Sequence, residues 1–319
     1  MWQWHDGSWS VRRPVFTVAE RRPHGRLFEG GSRVLVSPTT REWLMTGTER
    51  PVIDTSKPHS ARVYDWFLDG KDNYPVDEEL ARQILAIEPQ AKRSAQHNRW
   101  FMHRAIRRLG RDMGVRQFLD VGTGIPTEPN LHRIAQDVAP ASRVVYADND
   151  PIVLAHAAAL LRGTSEGATE YVQADVRDPE AILQQAGTVL DFGRPIAVSV
   201  IALMHFIADE DGAFEVVKTL VDALAPGSFL VLSQLTAEFN PEAVNRSVRT
   251  YGAGGVTLVP RSRAEVGRFF DGLELLEPGL VPVDEWHRSD DEGGEDGEDG
   301  GRADSGGPVP LYAAVGRKP

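Results

Sequence analysis

The chain has 319 residues, of which 41% are hydrophobic, enough to bury one large α/β domain with additions or two small domains. It has no cysteine, which excludes disulfides, thiolate zinc sites, thiol nucleophiles and Fe–S clusters and fits a cytoplasmic location. The net charge of −11 argues against general nucleic-acid binding, no secretory signal is expected, and the longest apolar run, Ile196 to Ile207, is too short to span a bilayer.

Residues 1–52 carry scattered tryptophans (Trp2, Trp4, Trp9) and arginine pairs (Arg12-Arg13, Arg21-Arg22) without a sustained helical or strand period. They are expected to be a disordered extension outside the fold. Beyond them, Ala61 to Leu68 suits a short amphipathic helix stopped by Gly70, and Val76 to Ile87 suits a second that ends before Pro89. Ala91 to Met113 predicts a third, with Trp100, Met102, Ile106 and Leu109 as its apolar positions. All three precede the first strand, so residues 53–114 predict a helical cap rather than a layer of the sheet.

Gln117 to Gly124 reads as a short buried strand closed by a turn. Two glycines after a strand let the backbone approach a ligand, because no Cβ intervenes. From there the chain alternates. Leu131 to Val138 is helical, Arg143 to Asp148 is a strand, and Pro151 opens a helix that runs to about Leu161. Glu170 to Asp175 is a third strand, Pro179 to Gln185 a short helix and Pro195 to Ile201 a fourth strand. Asp209 caps a further helix, and Ser228 to Leu232 is a fifth strand. Such alternation predicts an α/β fold over residues 115–319, with a doubly wound, mostly parallel sheet.

Towards the C-terminus, Pro241 to Tyr251 is helical and Ser262-Arg263-Ala264-Glu265 is a capping box. Leu273 to Leu276, Val281 to Val283 and Pro310 to Val315 are strand-like. Residues 289–307 hold eight acids and no apolar run, so they predict a disordered acidic loop at the tip of an antiparallel C-terminal hairpin. The acids miss the spacing of an EF-hand loop, and no metal site is expected.

Asp120, Asp148 and Asp175 fall at or near the ends of the first three strands, side by side at the carboxyl edge of such a sheet. An acid ending the second strand can accept both ribose hydroxyls of a nucleoside, and one ending the third can meet the adenine amino group. Together the three predict a nucleoside site. The dinucleotide fingerprint fails, since Thr127 stands at the third glycine and Pro126 removes a backbone N–H where a pyrophosphate wants donors. No Gly-Lys-Ser/Thr follows either, so a cofactor without phosphates fits better than a nicotinamide.

Phe118-Leu119-Asp120-Val121-Gly122-Thr123-Gly124, Val145 to Pro151 and Gln173-Ala174-Asp175 resemble the first three motifs of class I S-adenosylmethionine-dependent methyltransferases. More narrowly, four segments resemble a bacterial S-adenosyl methyltransferase subfamily once catalogued as a domain of unknown function. They are Ala61 to Asp65, Gly70-Lys71-Asp72-Asn73, Asn98-Arg99 and Gly124-Ile125-Pro126-Thr127. The resemblance covers residues 54–319 and implies a Rossmann-like, seven-stranded sheet with S-adenosyl-L-methionine as cofactor. Pro126 replaces the third glycine of many class I enzymes, and residues 289–307 look like an insertion. Carried over, Gly122 and Gly124 would face the methionine part of the cofactor, with Asp120 near its amino group. Asp148 would hold the ribose, Asn149 would flank the adenine, and Asp175 with Val176 would meet its edge. Arg62 and Arg99 on the cap helices are candidates for the cofactor carboxylate.

Methyl transfer from a sulfonium needs positioning more than acid–base work. Where the nucleophile must lose a proton, His205 after the fourth strand is the candidate base, a structural histidine at that corner being the other reading. Tyr64 and Tyr74 are candidates for the substrate pocket or for packing of the cap. No Asn/Asp-Pro-Pro-Tyr/Phe motif follows the fourth strand, so an exocyclic amine of DNA is not expected as substrate. Arg104, Arg107, Arg108 and Arg111 read as a solvated helix face. The expected function is a cytoplasmic methyltransferase acting on a small molecule, with no nucleic-acid or membrane partner. The alternative is a non-catalytic sensor or partner protein that binds S-adenosylmethionine or S-adenosylhomocysteine. Oligomeric state is not legible in the sequence.

Overall fold

The central strands are five to seven residues long and read as near-continuous apolar runs, because most are buried on both faces. The computed structural model describes residues 2–5, 8–11, 34–36, 54–153, 163–287 and 307–319. Residues 1–31 form one unit, in which β1 (Trp2–His5) and β2 (Ser8–Val11) pair antiparallel with Trp4 opposite Trp9. The remaining described residues belong to a second unit, 32–319.

That unit holds nine strands in one sheet: β3 (Val34–Val36), β4 (Gln117–Val121), β5 (Arg143–Asp148), β6 (Ala168–Gln173), β7 (Ala197–Ile201), β8 (Phe229–Leu235), β9 (Glu274–Leu275), β10 (Val281–Pro282) and β11 (Leu311–Arg317). The order is β10-β11-β8-β7-β4-β5-β6-β3, with β9 also paired to β11. From β3 to β8 the pairs are parallel, and β11 runs antiparallel to β8, β9 and β10. The doubly wound sheet and its antiparallel end are as the sequence predicts. The strand count differs from the expected seven for two reasons. Val34–Val36 adds an edge strand from within residues 1–52, and the last position is shared by two two-residue strands. The terminal hairpin is present, with Val281 opposite Ala313, while residues 288–306 of the acidic loop lie outside the described residues. So does most of the helix expected after Pro151, of which residues 151–153 are helical.

Alternation along the strands divides the core. Phe118, Val144, Tyr146, Ala197 and Val231 face one layer, and Leu119, Val145, Val198 and Leu230 the other. The second layer contains the Pro179–Ala186, Ala213–Asp222 and Arg263–Arg268 helices. The first contains Leu131–Val138 and also Ala91–Arg111. The long helix is therefore a layer of the sheet, which corrects its reading as part of a cap. Its stripe of Phe101, Met102, Ala105, Ile106 and Leu109 is buried, and side chains of this size stabilise by roughly 1.5–3 kcal/mol each when fully buried. Arg104 lies on the same inner side, donating from Nε to the Trp286 carbonyl at 2.8 Å and from Nη2 to Val283 at 3.2 Å. It is thus not part of a solvated face.

The true cap is the Ser60–Phe67 and Pro75–Ile87 pair, whose Val63, Phe67, Leu80 and Ile84 pack with Tyr251 and Leu258 in a separate cluster. Asp65 organises the turn between the two helices, accepting from the Asp72 backbone at 3.0 Å and from Asn73 Nδ2 at 2.8 Å. Among the described residues no helix is long and apolar enough to cross a membrane.

Candidate functional site

The strand order reverses at β4, which has β5 on one side and β7 on the other, so the loops leaving these strands part and open a crevice at their carboxyl ends. A cleft of about 330 Å³ occupies that crevice. Its floor is the β4 turn. Gly122 has φ +72° and Gly124 φ +66°, a region that side chains with a Cβ rarely adopt. A Cβ on Gly122 would also stand 2.6 Å from the Leu203 side chain. The Gly122 amide donates to the Ala147 carbonyl at 2.8 Å, which holds the turn against β5.

Eight of the residues singled out from the sequence line this one cleft: Asp120, Gly122, Gly124, Asp148, Asn149, Asp175, Val176 and Arg99, with Tyr64 as a ninth. Asp148 is buried at the end of β5. Its Oδ2 accepts from the Gly124 amide at 2.8 Å and its Oδ1 from the Asp150 amide at 2.9 Å, so it ties the glycine turn to the second strand. Burial raises its pKa, and the two amides and His59 act in the opposite sense. Asn149 donates to Asp175 Oδ2 at 3.0 Å. Partial burial works against the Asp175 charge, yet the Arg177 amide, Asn149 and the Arg177 guanidinium together hold its carboxyl below the usual range.

Asp120 points from β4 beside Ser199, its partner in register on β7. Burial pushes its carboxyl up to about 6, with the nearby Asp148 charge adding to the rise, while Ser199, Arg99 and Thr123 favour the ionised form. With its folded value above the unfolded 3.8, the folded chain keeps a proton that the unfolded chain has released. The stability this group contributes is full at acid pH and is lost as pH rises through about 6. Arg99 reaches the other side of the β4 turn, where its Nη2 donates to the Thr127 and Pro129 carbonyls at 2.6 and 3.0 Å. Those two bonds fix the guanidinium at the cleft wall.

Three candidates lie elsewhere. Arg62 is buried below the cap, bonded to the Asp54 and Lys57 carbonyls and 3.6 Å from Asp77, with Tyr74 stacked 5.4 Å from its guanidinium. Tyr74 itself precedes the Pro75–Ile87 helix as its N-cap. Both serve the cap, because the phase of the first helix turns Arg62 away from the cleft. His205 is buried behind Phe206 and does not line the cleft. Burial, and then the Arg261 charge, lowers its pKa to about 3, which keeps the imidazole neutral.

Other residues of the site were not singled out. His59 enters the cleft from the cap with Nδ1 3.1 Å from Asp150 Oδ2. Asn98, next to Arg99, and Phe206 complete the wall beyond β7. Arg261 is buried and clamps the loop after β7, donating to the Met204 and Ile207 carbonyls at 2.7 and 2.9 Å and to Asp209 at 2.6 Å. The sequence carried a signal only for Asn98, whose neighbour Arg99 it made a candidate. Nothing local marks a distant arginine as the clamp of a loop.

A family model described as S-adenosyl methyltransferase matches residues 46–319, a span that takes in the cap helices as well as the sheet. A solved structure from the DUF574 family of Streptomyces avermitilis is 47% identical, with a TM-score of 0.77 over 84% of this chain and 100% of that one. A candidate methyltransferase from Thermobifida fusca is 38% identical, with a TM-score of 0.74 over 84% of this chain and 97% of that one. No curated protein matches the sequence.

Proposed function

The chain belongs to the S-adenosyl methyltransferase family, and from that premise we propose that it methylates a small molecule in the cleft at the carboxyl edge of its sheet. S-adenosyl-L-methionine is the cofactor of the family, and when bound it supplies a methyl group already activated on a sulfonium. The residues present suit it. Gly124 leaves space where a Cβ would stand, the buried Asp148 carboxylate has acceptor capacity beyond its two amide bonds, and Arg99 is a fixed cation. In this reading Asp148 holds the ribose hydroxyls, Asn149, Asp175 and Val176 border the adenine, and Gly122 and Gly124 pass under the methionine. Arg99 takes the carboxylate and Asp120 the ammonium. His205 has no step.

One observation carries the small-molecule reading: the acids of the strand ends and the apolar side chains of Ile201, Leu203, Phe206 and Val256 line one cleft. Ligand pockets run from about 300 to 1,000 Å³, so the space of about 330 Å³ is at the small end and is shared with the cofactor. The family match does not favour the non-catalytic alternative. Calorimetry should detect S-adenosylmethionine and S-adenosylhomocysteine and no NAD, and binding of NAD alone would sink the reading. With tritiated methyl groups and a cell extract, label should enter the low-mass fraction, and label confined to protein or nucleic acid would overturn the substrate class.

Asp120 makes a pH prediction. A bound ammonium selects the ionised carboxylate, and a cofactor α-amino group stays protonated below about pH 7.7. Affinity for S-adenosylmethionine should therefore rise about tenfold from pH 5 to 7, as a group titrating near 6 ionises, and Asp120→Asn should flatten the profile. An unchanged profile in the variant removes Asp120 from the ammonium site.

A further inference from the structure

Asn98 and Arg99 are consecutive on one helix and serve opposite sides of the cleft. Arg99 is held by the loop after β4. Asn98 instead joins a chain of hydrogen bonds that crosses from the ends of β7 and β8 to the cap. The Ala202 amide donates to Ser233 Oγ at 2.9 Å, and Ser233 Oγ donates to Asn98 Oδ1 at 2.6 Å. Asn98 Nδ2 donates to Tyr64 Oη at 3.0 Å, and Tyr64 Oη donates to the Ala95 carbonyl at 3.0 Å. The chain begins at a group that can only donate and ends at one that can only accept, so its direction is fixed and with it the orientation of the amide.

Three consequences follow from that direction. Nδ2 has two hydrogens and the chain uses one, so among the described residues a second N–H is left at a side chain that is 1% exposed and lines the cleft. Tyr64 stays a neutral donor, since burial raises its pKa. Ala202, at φ +52°, is held in a left-handed conformation by its bond into the same chain. A buried amide locked at both ends is pre-organised, and a donor left unmatched there costs about 1–3 kcal/mol on ligand binding. The cleft it lines also carries the apolar and aromatic side chains of Tyr64, Met102, Ile201, Phe206 and Val256, against which an unpaired charge would be expensive to bury.

We propose that Asn98 reads the methyl acceptor, and that the acceptor is an uncharged, apolar molecule presenting a lone pair, on a ring nitrogen or a carbonyl oxygen, to the spare Asn98 N–H. This rests on the assignment of the β4 side of the cleft to the cofactor. A donor-only molecule of the same shape is disfavoured, because it meets the amide hydrogen with a hydrogen of its own. Asn98 is a positioning residue here, acting through orientation and not through proton transfer.

The test uses the full chain loaded with S-adenosylhomocysteine and three flat probes: quinoline, indole and naphthalene. Saturation-transfer NMR titrations should rank quinoline at least tenfold above the other two. Asn98→Leu should remove that preference while S-adenosylhomocysteine affinity by calorimetry stays within twofold. Asn98→Asp, which keeps the oxygen facing Ser233 and replaces the amide nitrogen with an acceptor, should do the same if the leucine variant does not fold. No quinoline preference in the parent protein, or an unchanged preference in a folded variant, overturns the proposal. Equal loss of S-adenosylhomocysteine binding in the variant assigns Asn98 to the cofactor and overturns it too. Failure of the parent protein to bind S-adenosylhomocysteine, by contrast, refutes the cofactor reading itself.

Discussion

Asp148→Ala should weaken S-adenosylhomocysteine binding by about 3 kcal/mol, somewhat more than 100-fold, because hydrogen bonds to a charged group are worth about 1.5–3 kcal/mol each. The carboxylate is buried, so nothing in solvent replaces it, and in the proposed site it accepts from the ribose hydroxyls. It also accepts from the Gly124 and Asp150 amides, so the alanine variant loosens the glycine turn as well. Asp148→Asn is the milder change, since its single acceptor oxygen can keep only one of those two backbone bonds. The amide preserves shape and one acceptor, and it should cost about tenfold, roughly 1.4 kcal/mol. Calorimetry with S-adenosylhomocysteine, alongside thermal melts, reads both. Wild-type affinity in a folded Asp148→Ala protein would remove Asp148 from the cofactor site.

Arg261→Ala should be the most destabilising single change outside the apolar core. Its guanidinium is buried, bonded to the Met204 and Ile207 carbonyls and to Asp209, and flanked by the Phe214 and Phe269 rings at 5.4 and 5.3 Å. The Asp209 side chain is 55% exposed, so that ion pair is screened and adds little. The carbonyls and the packing matter more. Two buried acceptors losing their donors, plus the void between the rings, give about 3 kcal/mol, or roughly 5 °C in melting temperature. The clamped loop carries Phe206 into the cleft, so quinoline binding should weaken along with stability. A melting temperature within a degree or so of wild type would show that the loop holds without the clamp.

The strand-end lining of the cleft was legible because its signals are local. A glycine turn after a strand, and acids at the ends of the next two strands, follow from period-two patterning and turn chemistry within a few residues. In a parallel sheet those ends come together, as Asp120, Asp148 and Asp175 do around one cleft. The three helices before the first strand of this motif were legible too, by their apolar spacing and stops, with the third ending at Arg111, two residues short of the expected Met113. Their roles were not. Helical periodicity says that one face of Ala91–Arg111 is buried, and it does not say against what. The face packs on the sheet and takes Arg104 with it.

By itself the sequence determined the alternating α/β architecture, the strand-end acids that meet at one cleft and the family-specific motifs, all of which depend on residues close in the chain. Tertiary structure alone decided which side chains reach the cleft. Arg62 and Arg99 are equivalent as helix cations in the sequence, yet one is bonded beneath the cap and the other to the β4 loop. His205 and Phe206 are neighbours, and only the phenylalanine faces the ligand space. Asn98 gains its fixed orientation from Ser233, 135 residues away. Pairings of that kind depend on helix phase and on contacts far apart in the chain, which no local pattern encodes.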